Sequence, residues 1–301
     1  MAGFEQLDAR TLRYRFDLEK DIPWEKAREP GPFFPVEYFD TLGFDTEALG
    51  QNPEAYGFLQ KLLALCTCQA FAHLEDDVIL FLREEHDAVP ITRSSLLLVE
   101  EEVKHTVLFR RFSSILCEQT PGLEEAFVRH YSRPPGFDLL KREREKLGKP
   151  EVLHYLFWLN TIFFEEFTIH LHELLKGSSQ PIQEAWKAVH KCHRQEEIQH
   201  VITDRAYIDS SPLTGEERDQ CSILFFLALE RDLLKFFSLD CVEKVMKERY
   251  PDISLFARPP RLRDLPLFDG LLNSPSFRQT RHAAPGLDRF RVNSGDAPLH
   301  E

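Results

Sequence analysis

The sequence predicts an all-α protein built on a four-helix bundle with additional helices around it. Three observations predict this. Apolar residues recur with the 3.6-residue helical period over several long windows. The period-2 alternation that marks strands is scarce. Two Glu-x-x-His pairs each lie on an otherwise apolar helix face.

The elements follow in order. Residues 1–55 predict an arm, because Pro23, Pro30, Pro32 and Pro35 and Gly31, Gly43 and Gly50 interrupt regular structure. Trp24, Phe33, Phe34, Tyr38 and Phe39 give that arm an apolar surface to pack on the domain. Residues 56–250 predict the helical bundle, with long helices over 56–85, 92–118, 151–176, 181–207 and 216–249 and a helical hairpin over 122–147. Gly177 is a natural helix stop and Pro181 a natural start. Residues 251–301, rich in Pro and Arg, predict an extended tail whose basic side chains cover the acidic bundle or which is partly disordered.

Composition narrows the function classes. A chain of 301 residues with 43% hydrophobic content can bury a sizeable core. Its formal net charge of -13 repels phosphates, so no nucleic-acid partner is expected. Met1 to Asp8 has neither a basic nor an apolar export region, and no apolar run reaches the ~18 residues of a membrane span. A cytoplasmic protein with six free thiols is therefore expected. Cys66 and Cys68 form a Cys-x-Cys pair, but on a helix they point to different faces.

The chemistry lies in Glu102-Val103-Lys104-His105 and Glu197-Ile198-Gln199-His200. Residues three apart share a helix face, so each pair can offer a carboxylate oxygen and an imidazole nitrogen to one metal. A chain this rich in Glu and His yields about one such pair by chance, and Glu151-Val152-Leu153-His154 reads as that copy. Each of the other two is centred on an apolar stripe. One stripe runs Leu98, Val99, Glu102, His105, Thr106, Phe109 and Leu116. The other runs Trp186, Val189, His190, His193, Glu197, His200, Val201 and Asp204. A carboxylate inside such a stripe requires a compensating cation.

A dinuclear carboxylate centre in a four-helix bundle takes one further Glu from each of two other helices. Glu75 lies on the stripe of Cys68, Phe71, Ala72, Val78, Ile79 and Leu82. On the helix over 151–176 the apolar stripe is Leu156, Leu159, Phe163, Phe167, His170 and Leu174. Glu166 lies nearer to it than Glu165, and is the expected ligand. Four carboxylates match the charge of two ferrous ions, and mixed oxygen and imidazole donors suit iron or manganese better than structural zinc. Glu101, Glu196 and Asp204 are placed to accept imidazole N–H groups.

His193 stands four residues before Glu197 on the same face, so the run reads His-x-x-x-Glu-x-x-His. With this third histidine the chain resembles the AurF-type N-oxygenases, the p-aminobenzoate N-oxygenase family, over about residues 20 to 285. The resemblance implies a ferritin-like fold and a homodimer. It implies Glu75, Glu102, His105, Glu166, His193, Glu197 and His200 as ligands of two Fe ions, with Glu102, His193 and Glu197 closest to the chemistry. It also implies dioxygen as co-substrate, an electron donor, and an amine, free or carrier-bound, oxidised to a hydroxylamine, nitroso or nitro product. Two other readings stand beside it: a di-iron hydroxylase or desaturase acting on carbon, and a non-catalytic metal-binding bundle. Neither a nucleic acid nor a membrane is an expected partner.

Overall fold

The computed structural model describes residues 13–84, 93–133, 148–256, 265–266, 270 and 273–290. The described residues are all-α, with no strand among them. The α-helices are α1 (Val36–Thr41), α2 (Thr46–Gly50), α3 (Pro53–Glu84), α4 (Arg93–Gln119), α5 (Leu123–His130), α6 (Pro150–Gly177), α7 (Glu184–Ser210), α8 (Gly215–Phe236), α9 (Leu239–Arg249) and α10 (Arg278–Ala283). None of the described helices is long and apolar enough to cross a membrane.

Local chemistry sets several of these boundaries. Pro53 and Pro150 open α3 and α6, where a missing N–H costs nothing. Gln183 caps α7 by accepting from the Trp186 amide at 2.6 Å. Thr214 and Glu217 close a reciprocal capping box on α8. The helix expected over 216–249 is split, because Ser238 takes a left-handed conformation (φ 53°) between α8 and α9. Of the hairpin expected over 122–147, α5 forms its first part, and residues 134–147 lie outside the described residues.

The four long helices α3, α4, α6 and α7 form a ring in which every neighbouring pair runs antiparallel. Between α3 and α4, Gln69 bonds Ser113 at one level, and Asp76 pairs with Arg110 further along α3 and earlier on α4. Between α6 and α7, Trp158 stacks on Tyr207 (centroids 4.2 Å apart) and Glu173 pairs with Arg194 (3.1 Å). Phe81 on Phe157 (3.8 Å) and Phe71 near Phe167 (6.3 Å) order α3 against α6. Carboxylate–imidazole pairs described below do the same for α4 and α7. Consequently α4 and α6 run the same way, and the end of α4 and the start of α6 lie at opposite ends of the bundle.

The arm and the tail pack on this ring. Gln60 of α3 accepts from the amides of Phe33 and Phe34 (2.9 Å each) and donates to the Phe34 carbonyl. Trp24 packs near Phe112 under the Arg111 guanidinium. At the other end the chain is not extended as expected. Its described part forms Pro275–Phe277, α10 and Pro285–Phe290, with Phe277, Thr280, Ala283 and Leu287 buried. Helix α6 therefore has protein on both sides: Phe163 meets Phe225 of α8 and Phe277, while Phe157 faces α3.

Candidate metal centre

Six of the seven expected ligands converge at mid-height in the bundle. Glu75 comes from α3, Glu102 and His105 from α4, and His193, Glu197 and His200 from α7, and all six are buried. Two overlapping donor sets arise, Glu75–His105–His193–Glu197 and Glu102–His105–Glu197–His200, with the ligand atoms of each within 4.8 Å of one another. His105 Nδ1 lies 3.2 Å from Glu102 Oε2 and 3.1 Å from Glu197 Oε1. His200 Nδ1 lies 2.8 Å from Glu197 Oε2 and 3.4 Å from Glu102 Oε1. His193 Nε2 meets Glu197 Oε1 and stands 3.3 Å from Glu75 Oε1.

The seventh expected ligand is corrected. Glu166 turns away from the cluster, and its two oxygens accept the Gln279 and Thr280 amides at the start of α10 (2.7 and 2.8 Å). Its neighbour Glu165 faces the cluster, with Oε2 at 3.6 Å from His200 Nδ1. In the stripe that favoured Glu166, Phe163 packs on Phe225 of α8 and on Phe277, and His170 lies by Phe277. In a helix covered on both sides, the most apolar stripe does not mark the bundle axis. The fourth carboxylate is therefore Glu165.

Behind the ligands lies a crossed arrangement. His105 and His200 each turn Nδ1 to the cluster and Nε2 to a carboxylate on the facing helix. His105 Nε2 donates to Glu196 Oε2 at 2.8 Å, and His200 Nε2 donates to Glu101 Oε2 at 2.9 Å. An ionised carboxylate only accepts, so Nε2 carries a proton and Nδ1 is the nitrogen that becomes a lone-pair donor once its own proton is displaced. Both acceptors are themselves paired. Glu101 Oε1 is 3.1 Å from Arg15 Nε, and Glu196 Oε1 meets the Lys104 ammonium. Lys104, Arg15 and Phe16 were not singled out from the sequence. The repeated Glu-Glu-x-x-His at 101–105 and 196–200 was the available signal for the crossed pairs.

The electrostatics are those of a site built for cations. Burial works against charge on His105, but Glu197, Glu102 and Glu196 outweigh it and raise its pKa well above the ordinary value. His200 is raised the same way, by Glu197, Glu102 and Glu101 against burial. Burial, and then Glu102, raise the Glu75 carboxyl far above the usual range. Against burial, His200 and His105 hold Glu197 down to about 2. Burial and the other imidazoles push His193 well below its ordinary value, so it stays neutral. The metal-free cluster thus balances buried acids with protons, which divalent ions would displace.

The donor set fits two divalent ions. Glu102 Oε1 and both His193 nitrogens lack a hydrogen-bond partner although buried. Three carboxylates (Glu75, Glu102, Glu197) and three imidazoles make up the two donor sets, Glu165 stands beside His200, and the outer Glu101 and Glu196 are paired with Arg15 and Lys104. Phe71 and Phe109 wall off His193, with ring centroids at 5.2 and 4.9 Å.

Other expectations resolve plainly. Asp204 is fully buried on the same helix, but neither of its oxygens accepts a hydrogen bond, so it does not orient an imidazole. Burial raises its carboxyl well above the usual range. His190 is buried against Trp186 (4.3 Å), and His170 lies beside Phe277 (5.5 Å). Glu151 is exposed, as a chance copy of the motif should be, and Cys66 and Cys68 belong to neither donor set. No family model, curated protein or solved structure matches this chain.

Proposed function

We propose that the chain is a di-iron N-oxygenase of ferritin-like architecture that uses dioxygen to oxidise an amine. The observation that carries this reading is His193. A dinuclear carboxylate centre is complete with two histidines and four glutamates. Here a third, neutral imidazole meets Glu197 and lies 3.3 Å from Glu75. It adds a donor without adding charge. The parallel course of α4 and α6 beside two antiparallel neighbours supports the ferritin-like architecture.

Two ferrous ions held at this position would supply the electrons that make dioxygen reactive toward a closed-shell amine. The chain's own residues supply the rest. His105 and Glu197 belong to both donor sets, so with Glu75, Glu102, His193 and His200 they would hold the ions. Glu101 and Glu196 fix which imidazole nitrogen faces the cluster, and Phe71 and Phe109 keep water from His193.

The test is metal analysis followed by product analysis. Purified protein reconstituted with ferrous iron should hold two ions per chain. Reductant and air with a panel of amines should yield products carrying added oxygen on nitrogen, detected by mass spectrometry. Oxygen on carbon would make it a hydroxylase, and a metal stoichiometry near zero would remove the reading altogether.

A further inference from the structure

We propose that the N-terminal arm is part of the metal centre, with Arg15 and Phe16 acting as positioning residues that hold the crossed His–Glu pairs and slow metal exchange. This rests on the metal-centre reading above.

Both outer carboxylates end on the same two arm residues. Glu101 is fully buried, and its Oε1 is 3.1 Å from Arg15 Nε, while Arg15 Nη2 reaches Glu100 at 3.0 Å on the surface. Glu196 is 1% exposed, and its Oε1 accepts the Phe16 amide at 3.0 Å. Lys104 joins the same knot, donating to Glu196 and to the Phe16 carbonyl (3.2 Å), with its ammonium 4.1 Å from the Phe16 ring centroid. The Phe16 ring lies parallel to His105, with centroids 6.0 Å apart. One dipeptide therefore neutralises the acceptor of His200 and completes the acceptor of His105.

A packing role alone does not account for this. Where the arm covers apolar surface, at Phe33 and Phe34, it offers buried rings and two amides to the neutral side chain of Gln60. At residues 15–16 it instead presents a guanidinium and a main-chain amide to two buried carboxylates, each bonded to a ligand imidazole. Removing that support leaves a buried carboxylate short of a partner. Its imidazole then loses a fixed orientation, and ligand exchange becomes easier.

The experiment is chelator competition on the full chain. Wild type and variants are loaded with Co(II), the visible spectrum is recorded, and EDTA is added in excess. Arg15→Gln, which withdraws the cation from Glu101, and Phe16→Ala, which keeps the amide but withdraws the ring that holds it against His105 and Lys104, should release metal about tenfold faster or more, and should shift the Co(II) visible bands. Arg15→Lys, which restores a cation, should recover much of the wild-type rate. Arg28→Gln is the control, because Arg28 pairs with Glu118 on the same arm. It should leave rate and spectrum unchanged. Circular dichroism confirms that each variant folds. Wild-type release rates in both Arg15→Gln and Phe16→Ala, or an equal effect of Arg28→Gln, would overturn the proposal. Failure of the wild type to bind Co(II) would instead overturn the metal-centre reading.

Discussion

Helices α4 and α7 each bring a Glu-Glu-x-x-His run to the centre, whereas α3 and α6 each bring a single carboxylate. The difference is one of redundancy. On α4 and α7 the ligand Glu, the ligand His and the acid that orients the opposite His are locked together by helical spacing. Any register that places one places all three. On α3 and α6 nothing local fixes which acid turns inward. Glu165 and Glu166 are adjacent, both buried, and do unrelated things: one faces His200, the other holds the amides of Gln279 and Thr280.

The largest effect should come from the doubled side. Glu197 faces His105, His193 and His200 together. Glu197→Ala should abolish turnover and reduce metal content to below half of wild type, measured by elemental analysis. Full loading of that variant would break the comparison at its strongest point.

Next is His193→Leu. The other six ligands keep the metal, so iron content should stay close to wild type while amine oxygenation falls by at least an order of magnitude. Unchanged product yield by mass spectrometry would make His193 a core residue and leave the site without its distinguishing donor.

Within α6 the comparison sharpens. Glu165→Ala should lower metal content with the fold intact. Glu166→Ala should leave metal content alone and reduce stability, since two buried amides lose a charged acceptor, at roughly 1.5–3 kcal/mol for such a bond. Thermal unfolding and elemental analysis of both variants separate the roles, and the reverse ranking would restore Glu166 as the ligand.

The smallest effect is that of pH on the gain from metal. In the metal-free chain His105 and His200 have raised pKa values, so the stability they contribute is complete below about 6.5 and is lost as pH rises through the folded values. Metal binding needs those imidazoles deprotonated and strengthens in the same direction. The difference in Tm between metal-loaded and metal-free protein should therefore widen from pH 6 to pH 8. A constant gap would mean that metal does not displace those protons.

The same contrast explains what could be read from sequence alone. The all-α class, the four long helices and six of the clustered carboxylates and imidazoles were legible because their burial follows the 3.6-residue period on α3, α4 and α7. Glu165 was not, because α6 is apolar on two sides and its richer stripe packs at Phe163 on α8 and the C-terminal segment. The break at Ser238 had no local sign either, since neither Gly nor Pro marks it. Arg15 and Phe16 meet Glu101 and Glu196 only through the fold, and no spacing rule links residues so far apart.

The parallel course of α4 and α6 has a consequence for assembly. It divides the donors between two hairpins, with Glu75, Glu102 and His105 on the first and Glu165, His193, Glu197 and His200 on the second. Neither hairpin alone can enclose a pair of ions, and the arm that steadies both sets cannot seat until α7 is in place. On the proposed reading, metal capture would thus be a late event, a readout that the two hairpins have met. A chain still emerging from the ribosome, with only its first hairpin complete, offers too few ligands to trap the wrong ion.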